Sequence, residues 1–274
     1  MIKSIKKESG MSKIDLVASS FLEVKNLTLQ YKTSGYLVTA INNVSFKVEK
    51  SDRLVLLGPS GCGKSTILKA IGGFIKPSRG SIMLNGAEVK KPGFDRAVVF
   101  QEFDQLLPWK SALGNVAFAI KAAKKVSKKE AEAEAKVFLK KVNLQKFENS
   151  YPHALSGGMK QRVAIARCLA LKSKVILMDE PFASLDALTR QKMQEELLEL
   201  WNETKFTLVF VTHSIDEAIT LGTRIVMLSP HPGEVIEEID VDLSSIDSHY
   251  YPEFAELKER ISRILFKDQL DYAI

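Results

Sequence analysis

This sequence has no run that could cross a membrane. Its longest stretch without a charged residue, Thr33 to Phe46, is 14 residues long and half polar, whereas a bilayer-spanning helix needs about 20 apolar residues. Cysteine is scarce. Cys62 and Cys168 are the only two in 274 residues, which excludes a disulfide-stapled scaffold and points to free thiols in a reducing compartment. Residues 1–20 carry lysines without an apolar core, so no secretory signal is expected. With 45% hydrophobic and 26% charged residues, the composition excludes disordered and collagen-like chains. The expectation is a cytosolic globular protein with enough chain to bury a sizeable core.

The net charge of +6 comes from two places. Lys3, Lys6, Lys7 and Lys13 stand against Glu8 near the start, and residues 121–141 hold eight lysines against Glu130, Glu132 and Glu134. The remainder is slightly acidic, and from Glu234 onward eleven acidic residues face four basic ones. A solvated tail and one lysine-rich helix account for this pattern better than a nucleic-acid surface does. Attraction to an anionic membrane or to RNA is the competing reading.

Hydrophobic periodicity supplies the elements. Phe21–Gln30 and Val44–Val48 alternate like half-buried strands, with a turn signal at 33–35. Arg53–Leu57 is a short apolar run ending in Gly58-Pro59, as expected of a strand buried on both faces. Helical spacing follows over Lys64–Phe74. Ala97–Phe100, Val175–Met178, Leu208–Val211, Ile225–Leu228 and Val235–Ile239 read as further strands, and Lys128–Val142 is rich in helix formers. Strands alternating with helices predict an α/β fold with a largely parallel sheet. A mainly helical stretch, about residues 103–172, interrupts the alternation like an inserted subdomain. The expected division is a basic extension over 1–20, a main domain over 21–235 and a tail over 236–274.

Gly58 through Ser65 matches G-x-x-x-x-G-K-[ST]. Gly58, Pro59, Ser60, Gly61, Cys62, Gly63, Lys64, Ser65 and Thr66 would curl so that backbone N–H groups converge on phosphate oxygens at a helix start. Lys64 would reach the β- and γ-phosphates, and the Ser65 hydroxyl would ligate Mg2+. The strand VILMD ends in Asp179, followed by Glu180. A carboxylate at the C-terminal rim of a parallel sheet lies where such sheets bind ligands. Asp179 suits the metal and Glu180 suits a general base for attacking water.

Leu155–Arg162 reads LSGGMKQR. Ser156 can cap a helix there, and Gly157 and Gly158 leave N–H groups bare at its positive end. With the phosphate loop before it and Met178–Pro181 (MDEP) after it, the chain resembles the ATP-binding subunit of an ABC transporter from residue 21 to 274. The resemblance implies an ABC ATPase cassette with an antiparallel β edge and a helical insertion. It also implies ATP and Mg2+ as ligands, and a second copy whose Ser156–Gly158 segment closes over the partner's ATP.

Residue by residue, the resemblance assigns Tyr31 to stacking on adenine, with Tyr36 as its rival. Gln101 matches the glutamine that touches the metal, and Asp186 the aspartate that crosses the dimer interface. His213 matches the histidine that contacts the γ-phosphate. Met159 and Ser214 depart from the commoner glutamine and aspartate, and looser hydrogen bonding is expected at Ser214.

Lys90–Ile120, with Leu106-Leu107-Pro108-Trp109 at its centre, and Leu228–Gly233 are similar to the importer group for nitrate, sulfonates and taurine. The closing segment Tyr251–Ile274 most resembles taurine importers. The implied partners are an integral-membrane permease and a substrate-binding protein, with no nucleic acid, and the implied location is the cytoplasmic membrane face. Trp109 would then grip a permease helix, unless it packs internally. Rival readings are a non-transport ABC ATPase, an exporter cassette, and a GTPase or kinase. No guanine-reading N-K-x-D is present.

Overall fold

The computed structural model describes residues 20–32, 35–101, 105–241 and 252–270. Residues 1–19 of the expected extension, most of the predicted 33–35 turn and much of the tail lie outside them. Strands β1 (Leu22–Lys32), β2 (Leu37–Val48), β4 (Arg79–Leu84) and β5 (Ala87–Glu88) form an antiparallel sheet in the order β2-β1-β4-β5. The second sheet has the order β10-β9-β3-β8-β7-β6. Its members are β3 (Arg53–Leu57), β6 (Arg96–Val99), β7 (Val175–Asp179), β8 (Thr207–Thr212), β9 (Arg224–Leu228) and β10 (Val235–Asp240). All are parallel except β10, which returns antiparallel along β9.

β3 lies inside this sheet, and its five residues are all buried. The side-chain period of a strand sends alternate residues to opposite faces. Val55 and Leu57 enter one core, while Leu54 and Leu56 enter another. The second core lies between the two sheets, where Ile67, Leu68 and Ile71 of helix α1 (Lys64–Ile71) meet Leu22, Val24 and Leu29 of β1. Each such side chain stabilises the fold by about 1.5–3 kcal/mol on full burial. The phosphate-loop sequence therefore joins a strand and a helix that are each held by a core.

The first core is roofed by α2 (Ala112–Ala123), α3 (Lys128–Lys141) and α4 (Gly157–Ala170), which pack on one another within the stretch expected to be helical. Helices α5 (Ala187–Thr204) and α6 (Ile215–Leu221) complete the sheet's cover. α7 (Pro252–Leu270) packs on α6 and buries Phe254 and Ile261 in the same core. No helix among the described residues is long and apolar enough to cross a membrane.

Two expected boundaries shift. α1 ends at Ile71 and not at Phe74, because Gly72 and the left-handed Gly73 (φ 81°) stop it. β2 begins seven residues earlier than expected, since pairing with β1 carries it past the unalternating Asn42-Asn43. β4 and β5 were not anticipated at all.

Candidate nucleotide site

The phosphate-loop segment follows β3 and enters α1. Gly61 (φ 80°) and Gly63 (φ 101°) take left-handed conformations that curl the loop. The helix N-cap is Gly63, which has no side chain to bond the first-turn N–H groups. Those groups and the helix dipole form an anion-binding end. A cavity of about 350 Å3 opens over them, lined by Ser60, Gly61, Gly63, Lys64, Ser65, Thr66, Gln101 and Glu180. Gly58, Pro59 and Cys62 of the same loop do not line the cavity. A Cβ at Gly58 would lie 2.9 Å from both Cys62 Sγ and the Leu228 carbonyl, so only glycine fits there.

Lys64 is buried, and its ammonium donates to the carbonyls of Gly58 and Pro59 at 2.8 and 2.9 Å. Carbonyl oxygens hold the charge at the loop's own backbone, beside the place a phosphate would occupy. Ser65 Oγ donates to Asp179 Oδ1 at 2.7 Å. Burial pushes the Asp179 carboxyl above its ordinary range, against the lowering effect of the Ser65 hydrogen bond and nearby lysines. A buried carboxylate beside a hydroxyl gains from a hard cation. Among the described residues no group of three or more His, Cys, Asp or Glu is placed to hold a metal ion by itself. Ser65 and Asp179 bring a hydroxyl and a carboxylate together, and Gln101 lines the same cavity as Ser65; that donor set suits Mg2+, which is commonly held by one or two protein carboxylates together with phosphates and water.

Glu180 follows the end of β7 in a left-handed conformation (φ 43°), with its N–H donating to the Val211 carbonyl at 3.0 Å. A non-glycine residue there costs of order 1–2 kcal/mol, and such outliers cluster at functional sites. Its Oε2 lies 3.0 Å from His213 Nδ1. His213 stands just past β8, on the bend into α6. A carboxylate in the cavity wall, oriented by an imidazole, has the arrangement of a general base with a polar partner.

Tyr31, the Ser156–Gly158 segment and Asp186 do not line this cavity. Tyr31 is exposed on β1, paired with Val38, two residues before Ala40, whose carbonyl lies against Gly63. Tyr36 is more exposed still. Ser156 caps α4 by accepting from Met159 N–H at 3.3 Å, and Met159 packs on the core. Gly158 approaches Thr189 Cγ2, so a Cβ there would lie 3.2 Å from it. Thr189 N–H in turn donates to Asp186, the cap of α5. The loose hydrogen bonding expected at Ser214 is absent: its Oγ accepts from Glu217 N–H and its own N–H donates to Thr212 Oγ1 at 3.0 Å. Trp109 is 69% exposed, so it does not pack internally, whereas Leu106 is buried.

Sequence reasoning passed over Gln105. Its side chain accepts from Phe100 N–H and donates to Phe100 O, and Arg167 of α4 donates to its carbonyl at 2.8 Å. It ties the residue before Gln101 to the helix that starts at Gly157. No local sequence signal marks it, because both partners are brought by the fold.

Residues 41–183 match the family profile of the ABC transporter. The chain belongs to the ABC transporter family. It is 46% identical over 249 residues to an uncharacterised ABC transporter ATP-binding protein of Methanocaldococcus jannaschii, covering 91% of this chain and 92% of that protein. It is 47% identical over 241 residues to a taurine import ATP-binding protein of Rhizobium johnstonii, covering 84% and 90%. Among solved structures it superposes on a dimeric ATP-binding cassette in a post-hydrolysis state with ADP and Pi. That match has a TM-score of 0.70 at 33% identity and covers 80% of this chain and 98% of the other. A cassette of an ABC transporter complex from Clostridium perfringens gives a TM-score of 0.73 at 25% identity, covering 91% and 99%. As an ABC cassette the chain is an ATP hydrolase of the transport type, with the P-loop α/β fold of that family.

Proposed function

We propose that this chain is the ATP-hydrolysing subunit that energises an importer of taurine or a related sulfonate. The observation that carries the enzymatic part is the convergence of Lys64, Ser65, Gln101 and Glu180 on one cavity at the start of α1. The cargo rests on relatives that bear taurine-import names at 40–47% identity. Two copies bind ATP and close, each phosphate loop facing the other copy's Ser156–Gly158 segment. A dimeric cassette with ADP and Pi among the structural neighbours supports that pairing.

In this reading the first-turn N–H groups of α1 and the loop amides hold the phosphates, and Lys64 turns from the Gly58 and Pro59 carbonyls to the γ-phosphate. Ser65, Asp179 and Gln101 would hold Mg2+, which supplies charge neutralisation on the phosphate oxygens. Glu180 accepts a proton from water, and His213 orients Glu180 and bonds the γ-phosphate. Tyr31 stacks on the base, and Asp186 crosses to the second copy. The exposed Trp109 and Phe118, the latter at 51% exposure, are apolar side chains open to a permease helix. A substrate-binding protein delivers the cargo on the far side, while the cassette works at the cytoplasmic face.

Uptake of labelled taurine, a longer alkanesulfonate, nitrate and a pyrimidine precursor of thiamine, with and without the gene, tests this. Selective loss of taurine uptake is expected. Loss of another compound replaces the cargo, and no loss with ATPase activity intact contradicts the importer role.

A further inference from the structure

Ser214-x-x-Glu217 has the sequence of a capping box, in which the glutamate would bond the cap residue's own N–H. α3 carries a genuine one: Glu130 Oε2 accepts from Ser127 N–H at 2.8 Å. At α6 the arrangement differs. Ser214 N–H goes to Thr212 Oγ1, and the Glu217 carboxylate is free to turn inward. It accepts from Thr212 Oγ1 at 2.6 Å and from Gln194 Nε2 of α5 at 3.3 Å. Arg190 Nε lies 3.8 Å away. Glu217 is 7% exposed, and a buried charge of this kind is expensive unless its partners are well placed.

Those partners hold two loops. Thr212 immediately precedes His213. Arg190 donates to the carbonyls of Phe182 (3.3 Å) and Leu185 (3.0 Å), which lie in the loop between Glu180 and Asp186. The same two loops meet again at the surface through Glu180 and His213. Removing Glu217 takes away the buried carboxylate shared by the two loops, so that Thr212 Oγ1 and Gln194 Nε2 lose that acceptor and the loops stay joined by the Glu180–His213 contact and the Glu180 N–H to Val211 carbonyl bond.

We propose that Glu217 is a positioning residue for ATP hydrolysis, coupling the His213 bend to the 180–186 loop through Thr212 and Arg190. This rests on the reading of Glu180 and His213 as the hydrolytic pair. Small displacements of a base cost rate without costing substrate affinity, because the phosphates are held elsewhere by the loop amides.

Steady-state ATPase kinetics of the full-length protein test it. Glu217→Ala is expected to lower kcat by about 10- to 100-fold, with KM for ATP within about threefold of wild type. Glu217→Gln keeps an acceptor for Thr212 and is expected to recover most of kcat. The double variant Glu217→Ala/Arg190→Ala is expected to be no slower than the slower single one, as for groups acting as a unit. Wild-type kcat in Glu217→Ala, a loss confined to KM, or an additive double variant overturns the proposal. If Glu217→Ala does not fold, Arg190→Ala, whose side chain is 37% exposed, carries the same kcat and KM expectations. Glu180→Gln separates the two layers. Its retention of full turnover refutes the functional reading itself. An inactive Glu180→Gln beside a fully active Glu217→Ala refutes the coupling alone.

Discussion

Gly61 and Gly63 share a left-handed backbone in one loop but have different surroundings, so a pair of alanine substitutions separates backbone strain from packing. A Cβ at Gly61 meets nothing within 4 Å. Gly61→Ala therefore costs the conformational penalty, about 1–2 kcal/mol. A Cβ at Gly63 would lie 2.4 Å from Ile41 Cδ1 and 3.0 Å from the Ala40 carbonyl. Ile41 has little room to retreat, because the side chain is fully buried and a Cβ at Gly233 would also lie 2.9 Å from its Cδ1. Overpacking adds about 1–3 kcal/mol, so Gly63→Ala is expected to cost about 2–5 kcal/mol in all. At roughly 2–4 °C per kcal/mol for a chain near this size, Gly63→Ala melts several degrees below Gly61→Ala. Ile41→Val removes the offending methyl at its own cost of about 0.5–1.5 kcal/mol. Combined with Gly63→Ala it should show favourable coupling of about 1 kcal/mol in a double-mutant cycle. Urea unfolding measures the four variants beside wild type. Equal destabilisation of the two alanine variants, or a cycle that closes to zero, refutes the claim that β2 buttresses the phosphate loop through Ile41.

Two further outcomes follow from burial and capping. The Cys168 thiol is pushed up to about 11 by burial, and Cys62 is raised for the same reason. About one Cys168 in a thousand is then ionised at pH 8, so a thiol reagent should label neither cysteine quickly until denaturant is added; rapid labelling of the native protein contradicts the packing. Asp186 is held below the usual carboxylate range by hydrogen bonds from Thr189 at the start of α5. Its folded value being depressed, this cap contributes stability above the ordinary carboxylate range and loses it as pH falls through the lowered value. Asp186→Asn, which caps without ionising, should flatten that part of the acid unfolding profile, and an unchanged profile refutes the assignment.

What the sequence disclosed depended on how local the chemistry is. The phosphate loop was legible because strand, glycines, lysine and hydroxyl are contiguous, and β3, β7 and β8 because both faces of each are buried. The β4–β5 hairpin escaped attention although Asn85-Gly86 marks it, with φ of 50° and 77° at the two turn positions. Its strands are short and carry Arg79, Ser81 and Glu88, so the apolar alternation is faint. β2 was read at less than half its length because Asn26 and Asn43, both left-handed, break the alternation where β1 and β2 shift register. The tie of Gly158 to Thr189 and of Glu217 to Arg190 had no sequence signature. Each joins residues about thirty apart that only the packing of α4, α5 and α6 brings together.

The most direct test of the account is Mg-ATP turnover and sedimentation of Glu180→Gln beside wild type. The account predicts hydrolysis reduced by about two to four orders of magnitude and a dimer that persists in ATP but not in ADP. Wild-type turnover with no nucleotide-dependent dimer would contradict it.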